Sequence, residues 1–183
     1  TRGSFGVGDF GDLKRMVDWV AETEQRVLQV LPINDTTSTH TWTDSYPYNS
    51  ISIYAFHPMY VDLEQMGTLK DHATAEKFRQ KQKELNQLTA VDYEAVNETK
   101  WEYFRLIFKQ EGEKVLASDG FQDFFKANSE WLKPYAVFSY LRDAYRTADF
   151  RKWPKYTSYH AAEIDALCKP GTRDYPHIAL YYF

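Results

Sequence analysis

The stretch RVLQVLPI, Arg26 to Ile33, decides how the chain is read. Val27, Leu28, Val30, Leu31 and Ile33 make it almost continuously apolar and Pro32 closes it, the pattern of a short β-strand buried on both faces. Strands of that kind belong to parallel sheets and barrels whose faces are covered by helices. Just upstream, Phe10, Leu13, Met16, Val17 and Val20 recur at i, i+3, i+4 spacing behind Asp9, with Asp12 in the first turn. This spacing predicts a helix over roughly 9–24. A helix feeding a buried strand points to an α/β fold.

Before that helix, SFGVGDFGDL (Ser4 to Leu13) places Gly6, Gly8 and Gly11 in the lettering G-x-G-x-x-G of a dinucleotide cradle. The cradle needs a strand ahead of its first glycine, so that the turn delivers a pyrophosphate to the helix N-terminus. Only TRGSF precedes Gly6. Asp35 stands 24 residues past Gly11, where a ribose-binding acid would sit. Against this, Asp9 and Asp12 put carboxylates where a pyrophosphate needs unopposed N–H dipoles. The glycines are expected to be a loop entering the helix, with a dinucleotide-binding domain as a remote alternative.

Downstream of Ile33 runs a polar, threonine-rich loop with aromatics, NDTTSTHTWTDSYPYNS (Asn34 to Ser50). Loops this long inside a compact domain are usually functional or disordered, and Trp42, Tyr46 and Tyr48 argue against disorder. ISIYAFHPMYVDLEQMG follows, apolar and β-leaning as far as Leu63. From Lys70 helices are expected to dominate. Trp101, Phe104 and Phe108 share one face, Ser118 caps a segment with Phe121, Phe124 and Phe125, and Leu132, Tyr135, Ala136, Ser139 and Tyr140 trace another. These stripes are expected to be core, and Pro134 to lie in a first helical turn. Ala161, Ile164, Leu167 and Cys168 make a short helix ended by Pro170 and Gly171.

At 183 residues the chain has the length of one domain and is short for a fold of eight strand–helix units. A net charge of -4 excludes a basic nucleic-acid footprint, and no apolar run is long enough to span a membrane. The single Cys168 fits a reducing compartment and a cytoplasmic location, as a small buried hydrophobe. His40, His57, His72, His160 and His177 are scattered, so neither a metal nor a cofactor is expected. The run YPHIALYYF at Tyr175 to Phe183 lacks a visible neighbour to cover it and reads as an excised end, with the remainder of a parent chain as its partner.

In order along the chain, SFGVGDFGDLKRMVDWV, VLQVLPINDTT and DSYPYNSISIYAFHPMYVDLE resemble the opening of the catalytic domain of glycoside hydrolase family 77, the 4-α-glucanotransferases or amylomaltases. The resemblance continues through VDYEAVNETKWEYF, WLKPYAVF and FRKWP, and so covers nearly the whole chain. NDTTSTHTWTDSYPY is most similar to the branch of the plant cytosolic disproportionating enzymes. The resemblance implies an α/β fold leaning to mostly α: the first helix and strand of an excised (β/α)8 barrel, plus a largely helical inserted subdomain. Residues 1–69 would be the first β/α segment with the active-site loop 34–50, and residues 70–183 the inserted subdomain.

The implied activity is transfer of α-1,4-glucan segments between maltooligosaccharide or glucan acceptors. The common loop motif of the family, D-S-P-Y-Q-S, corresponds here to Asp44, Ser45, Tyr46, Pro47, Tyr48, Asn49 and Ser50, with Tyr46 inserted and Asn49 for glutamine. The resemblance therefore assigns the donor-sugar platform to Tyr48; the family pattern carries no role onto Tyr46 or Trp42, which with Asp44 are further substrate-binding candidates by their place in the same loop. A tyrosine suits a glucose ring because it offers an apolar face and a hydroxyl. Asp44 can instead cap its own turn. Retaining transfer needs two carboxylates about 5 Å apart. No acid of this chain matches the family's pair, so no catalytic residue is assigned and the fragment alone is expected to be inactive. A non-catalytic carbohydrate-binding module and a helical interaction module remain alternatives.

Overall fold

The computed structural model describes residues 3–183; Thr1 and Arg2 of the TRGSF lead lie outside them. The chain divides into two compact units, Thr1–Ile107 and Phe108–Phe183.

In the first unit, α1 (Phe10–Glu22) begins where the spacing predicts, and its start is a capping box. The Asp9 carboxylate accepts the Asp12 N–H at 2.9 Å, while the Asp12 carboxylate accepts the Asp9 N–H at 3.3 Å. Two of the four donors that every helix start leaves orphaned are satisfied in this way. At the other end the Thr23 hydroxyl bonds the Trp19 carbonyl at 2.9 Å, and its N–H folds back on the last turn. Of the predicted apolar face, Val20 is buried, whereas Met16 and Val17 are exposed.

The expected strand over 26–33 does not form. Among the described residues there is no β-strand, only an isolated antiparallel bridge between Asn34 and Phe56. Its bonds run from Asp35 N–H to the Ala55 carbonyl and from His57 N–H to the Ile33 carbonyl, both 2.9 Å. Val27 is 80% exposed, and Val30 and Leu31 are open to solvent as well. A strand is defined by its ladder, and a β-prone segment with no neighbour to pair stays irregular whatever its side chains favour. The β-leaning stretch after it instead makes 3-10 turns at Pro58–Tyr60 and Leu63–Met66, capped by His57 and Asp62.

Helix α2 (His72–Asn86) is capped by Asp71, which accepts the Thr74 N–H at 2.7 Å. Helix α3 (Tyr93–Leu116) buries Val96, Trp101, Phe104 and Ile107 in its first-unit part. Phe78 of α2 meets Tyr103 of α3 edge to face at 5.1 Å, and the Tyr103 hydroxyl donates to the Gly67 carbonyl. Gly67 has φ +106, where a Cβ is strained, so the chain reverses there at the one residue type that adopts this backbone freely.

The second unit is helical. α4 (Asp119–Tyr145) runs from its Ser118 cap to Arg146, whose left-handed φ of 55 ends it. The two segments expected around Phe121 and Leu132 are one helix, and Pro134 lies in its interior rather than in a first turn. The proline removes one backbone bond. Burial of Leu132, Ala136, Val137 and Leu141 on the same helix offsets that loss, at about 1.5–3 kcal/mol per fully buried large aliphatic side chain. Phe124, expected in the core, is instead exposed.

α5 (Ala161–Leu167) and α6 (Tyr175–Tyr182) pack on α4. The YPHIALYYF run does find its cover: Ile178, Ala179 and Tyr182 are buried in the cluster formed with α4, Trp153, Leu167 and Cys168. Cys168 is a free, buried thiol, and burial raises its pKa. Arg142, almost wholly buried, pairs with Asp143 at 2.7 Å, and Asp143 also accepts the Tyr181 hydroxyl.

Candidate functional site: an aromatic loop held by buried carboxylates

The loop 34–57 has almost no apolar interior, so its order comes from polar groups turned inward. Asp35 is 1% exposed and accepts the Thr37 N–H at 2.9 Å and the Thr37 hydroxyl at 2.6 Å. Its own carbonyl takes the Ile51 N–H at 2.7 Å, which closes the base of the loop. Asp44, 7% exposed, sits in the 3-10 turn Trp42–Ser45. Its carboxylate accepts the N–H groups of Ser38 (3.1 Å), Thr39 (2.9 Å) and His40 (2.7 Å), together with the Thr39 hydroxyl (3.0 Å). Three successive amides converging on one carboxylate form an anion nest filled by the chain's own aspartate. The Thr36 hydroxyl donates to the Asp44 carbonyl, so the residue is gripped from both ends.

This anchoring pushes the aromatic residues outward. Trp42 is 67%, Tyr46 61% and Tyr48 63% exposed. The Tyr46 and Tyr48 rings lie together, centroids 5.6 Å apart and tilted by 58°. Trp42 is fixed through its backbone, whose N–H donates to the Glu94 carboxylate of α3 at 2.9 Å. Of the four candidates, the fold brings Tyr46 and Tyr48 into one platform, leaves Trp42 open on the same loop, and turns Asp44 inward. The Asp44 carboxylate anchors the opposite limb of the loop rather than the Ser45 turn.

Several groups that shape this unit escaped the sequence reading. Thr39, Thr41 and Thr43 form a hydroxyl cluster at 2.7–3.0 Å, for which the T-x-T-x-T alternation was the available signal. Lys100 is 1% exposed and donates to the Val61 carbonyl at 2.7 Å. Burial pushes its pKa down to about 8, although Asp9, Asp62 and Asp12 draw it the other way. The one lysine inside the apolar face of α3 was its only mark in the sequence.

The same aspartates explain the glycine lettering. The N-terminus of α1 is occupied by the Asp9 and Asp12 capping box, and a Cβ at Gly11 would collide with the Asp62 carboxylate. Gly6, at φ +82, donates its N–H to Asn86 at 2.8 Å, and a Cβ there would come within 2.8 Å of the Leu85 carbonyl. These glycines allow close approach of protein to protein. Among the described residues no group of histidine, cysteine or acidic side chains is arranged to hold a metal ion, and no helix is long and apolar enough to cross a membrane.

The family model described as 4-alpha-glucanotransferase, glycoside hydrolase family 77, matches residues 1–183. The 4-alpha-glucanotransferase DPE2 of Oryza sativa subsp. japonica is 39% identical over 178 residues, which are 97% of this chain and 19% of the rice protein. The 4-alpha-glucanotransferase of Chlamydia caviae is 33% identical over 156 residues, 85% of this chain and 28% of that protein. That of Chlamydia muridarum is 34% identical over 154 residues, 84% of this chain and 28% of its own length. The chain thus spans less than a third of these relatives, and with the family match running over its whole length it belongs to glycoside hydrolase family 77, the 4-alpha-glucanotransferases.

Proposed function

We propose that the protein carrying this chain is a retaining 4-α-glucanotransferase that moves α-1,4-glucan segments between maltooligosaccharide or glucan acceptors, and that this chain supplies a sugar platform rather than the reacting carboxylates. The carrying observation is the family match over residues 1–183, joined to the exposed Tyr46–Tyr48 pair. Tyr48 stacks on the donor ring and offers its hydroxyl to the rim, while Tyr46 and Trp42 extend the surface. Asp44 holds the platform. A carboxylate accepting three backbone amides is poorly placed to act as nucleophile or acid, and Asp35 is similarly engaged with Thr37.

In this reading Val27–Ile33, irregular here for want of a pairing neighbour, becomes the first strand of a β/α barrel when the rest of the parent chain supplies its ladder, residues 1–69 are the first β/α segment, and residues 70–183 a helical insertion. The open apolar side chains of Val27, Val30 and Leu31, with Met16 and Val17 of α1, support it: they are surface that neighbouring barrel strands and helices would cover. The acid pair then belongs to other parts of the parent chain. A cytoplasmic location accords with the one buried, free cysteine.

The test is incubation of the full-length protein with maltotriose, with the products resolved by chromatography. Transfer yields glucose together with maltooligosaccharides longer than the substrate. No redistribution, or hydrolysis without longer products, overturns the proposal.

A further inference from the structure

In the second unit a cavity of about 270 Å³ opens between α4, α5 and the segment joining them. Its wall is almost wholly apolar: Phe138, Phe150, Trp153, Tyr156 and Tyr159 line it together with aliphatic side chains of α4 and α5, and Glu163 and Ser158 stand at its edge. Trp153 is locked in place. Its indole N–H donates to the Thr147 carbonyl at 2.8 Å, and the rings of Phe138, Tyr145 and Phe150 surround it at 5.6, 5.8 and 6.4 Å. Two lining rings are open to solvent, Phe150 at 45% and Tyr159 at 66% exposed, while Phe138 and Tyr156 are half-buried. Tyr156 adopts φ +63, a left-handed conformation that is rare for a bulky side chain and that tends to gather at ligand clamps.

We propose that this cavity is an additional α-glucan-binding site, taking the end of a maltooligosaccharide; its ligand class rests on the function proposed above. Exposed aromatic rings around a rigid indole offer platforms for the C–H faces of a glucosyl ring, and the Glu163 carboxylate accepts its equatorial hydroxyls. The volume falls just below the roughly 300–1,000 Å³ of pockets that enclose drug-sized ligands, which suits a short saccharide end with the rest of the glucan left in water. The Ser158 hydroxyl is already paired with the His160 ring at 2.9 Å, so Glu163 is the group that a purely apolar occupant would desolvate without replacing its hydrogen bonds.

The test titrates maltoheptaose into the protein by calorimetry, with Tyr159→Ala, Glu163→Gln and, separately, Tyr48→Ala. Both cavity substitutions are at exposed side chains, so the thermal midpoint should hold. Tyr159→Ala is expected to weaken one class of site about tenfold, and Glu163→Gln about threefold, while Tyr48→Ala leaves that class unchanged. Unaltered binding in both cavity variants overturns the proposal. Loss in Tyr48→Ala alone does so too, while leaving the glucan reading of the loop standing. Loss in Tyr159→Ala alone supports the cavity and removes the loop, and absence of any binding to the unsubstituted protein overturns both. A self-association that Tyr159→Ala abolishes, with maltoheptaose binding intact, reassigns the cavity to contact with a second copy and overturns its role as a sugar site.

Discussion

The loop 34–57 and the α4–α6 helical unit reach order by opposite means. The loop buries charge: Asp35 and Asp44 turn inward, and Trp42, Tyr46 and Tyr48 turn outward. The helical unit buries hydrocarbon around Ile178, Ala136 and Val137 and leaves its charges at the periphery, apart from the Arg142–Asp143 pair. The inversion has a functional logic. A loop whose interior is held by directional hydrogen bonds can spend its aromatic surface on a ligand, whereas helices draw most of their stability from packing an apolar face into the core. The two regions should therefore respond in opposite ways to removal of apolar and of polar groups.

The largest effect is expected in the helical unit. Ile178→Ala opens a cavity at a fully buried position on α6 and should cost about 3–4 kcal/mol, read from urea unfolding. If the loss is below about 1 kcal/mol, the α4–α6 interface is not the core of that unit.

The first unit offers the next effect, through Lys100. Its pKa is about 8 in the folded chain, against an ordinary 10.5. Below pH 8 both folded and unfolded forms carry the proton and the group adds no slope. Between about 8 and 10.5 the unfolded chain binds more protons than the folded one, so stability rises with pH, by up to about 3 kcal/mol. Unfolding free energies at several pH values should show this rise and lose it in Lys100→Met. An equal slope in both proteins would remove Lys100 from the account.

Asp44→Ala comes third. It strips the acceptor from three amides and one hydroxyl, and should cost about 2–3 kcal/mol locally. Hydrogen exchange at Ser38, Thr39 and His40 should speed up at least tenfold, while α4 and α6 keep their protection. Unchanged exchange at those amides would mean that the loop is held by something other than the carboxylate. Tyr48→Ala should weaken maltoheptaose binding at the loop by about tenfold without altering stability, since the ring is mostly in solvent. A fall in thermal midpoint alongside the loss of binding would make the ring a packing element instead.

The smallest effect has the opposite sign. Ser139 is fully buried on α4 and its hydroxyl has no hydrogen-bond partner. Ser139→Ala should therefore stabilise the chain by about 1 kcal/mol, with the better helix propensity of alanine contributing to the gain. Destabilisation would show that the hydroxyl is engaged after all, and the contrast between a polar group that is needed in the loop and one that is dispensable in the core would fail.

Legibility followed the range of the interactions. The α1 start, the Ser118 cap and the short α5 were readable because caps and helical stripes are local, satisfied within four residues. Tyr48 was readable as a candidate through a family motif and Tyr46 only as an aromatic inserted beside it, but their meeting at 5.6 Å was not. The inward turn of Asp44 depends on amides four to six residues upstream in a loop without periodicity, so no spacing rule announced it.

Taken alone, the amino-acid order determines family membership, the helices with clear caps and stripes, and the chemical character of the loop, because each is written in residue types at short range. Tertiary structure decided the rest. It left Arg26–Ile33 without a ladder, since a strand exists only when a neighbour supplies hydrogen bonds. It carried α4 through Pro134, since burial outweighs one missing backbone bond. It also covered the C-terminal run with α4, since apolar surface is buried by whichever element the fold brings beside it.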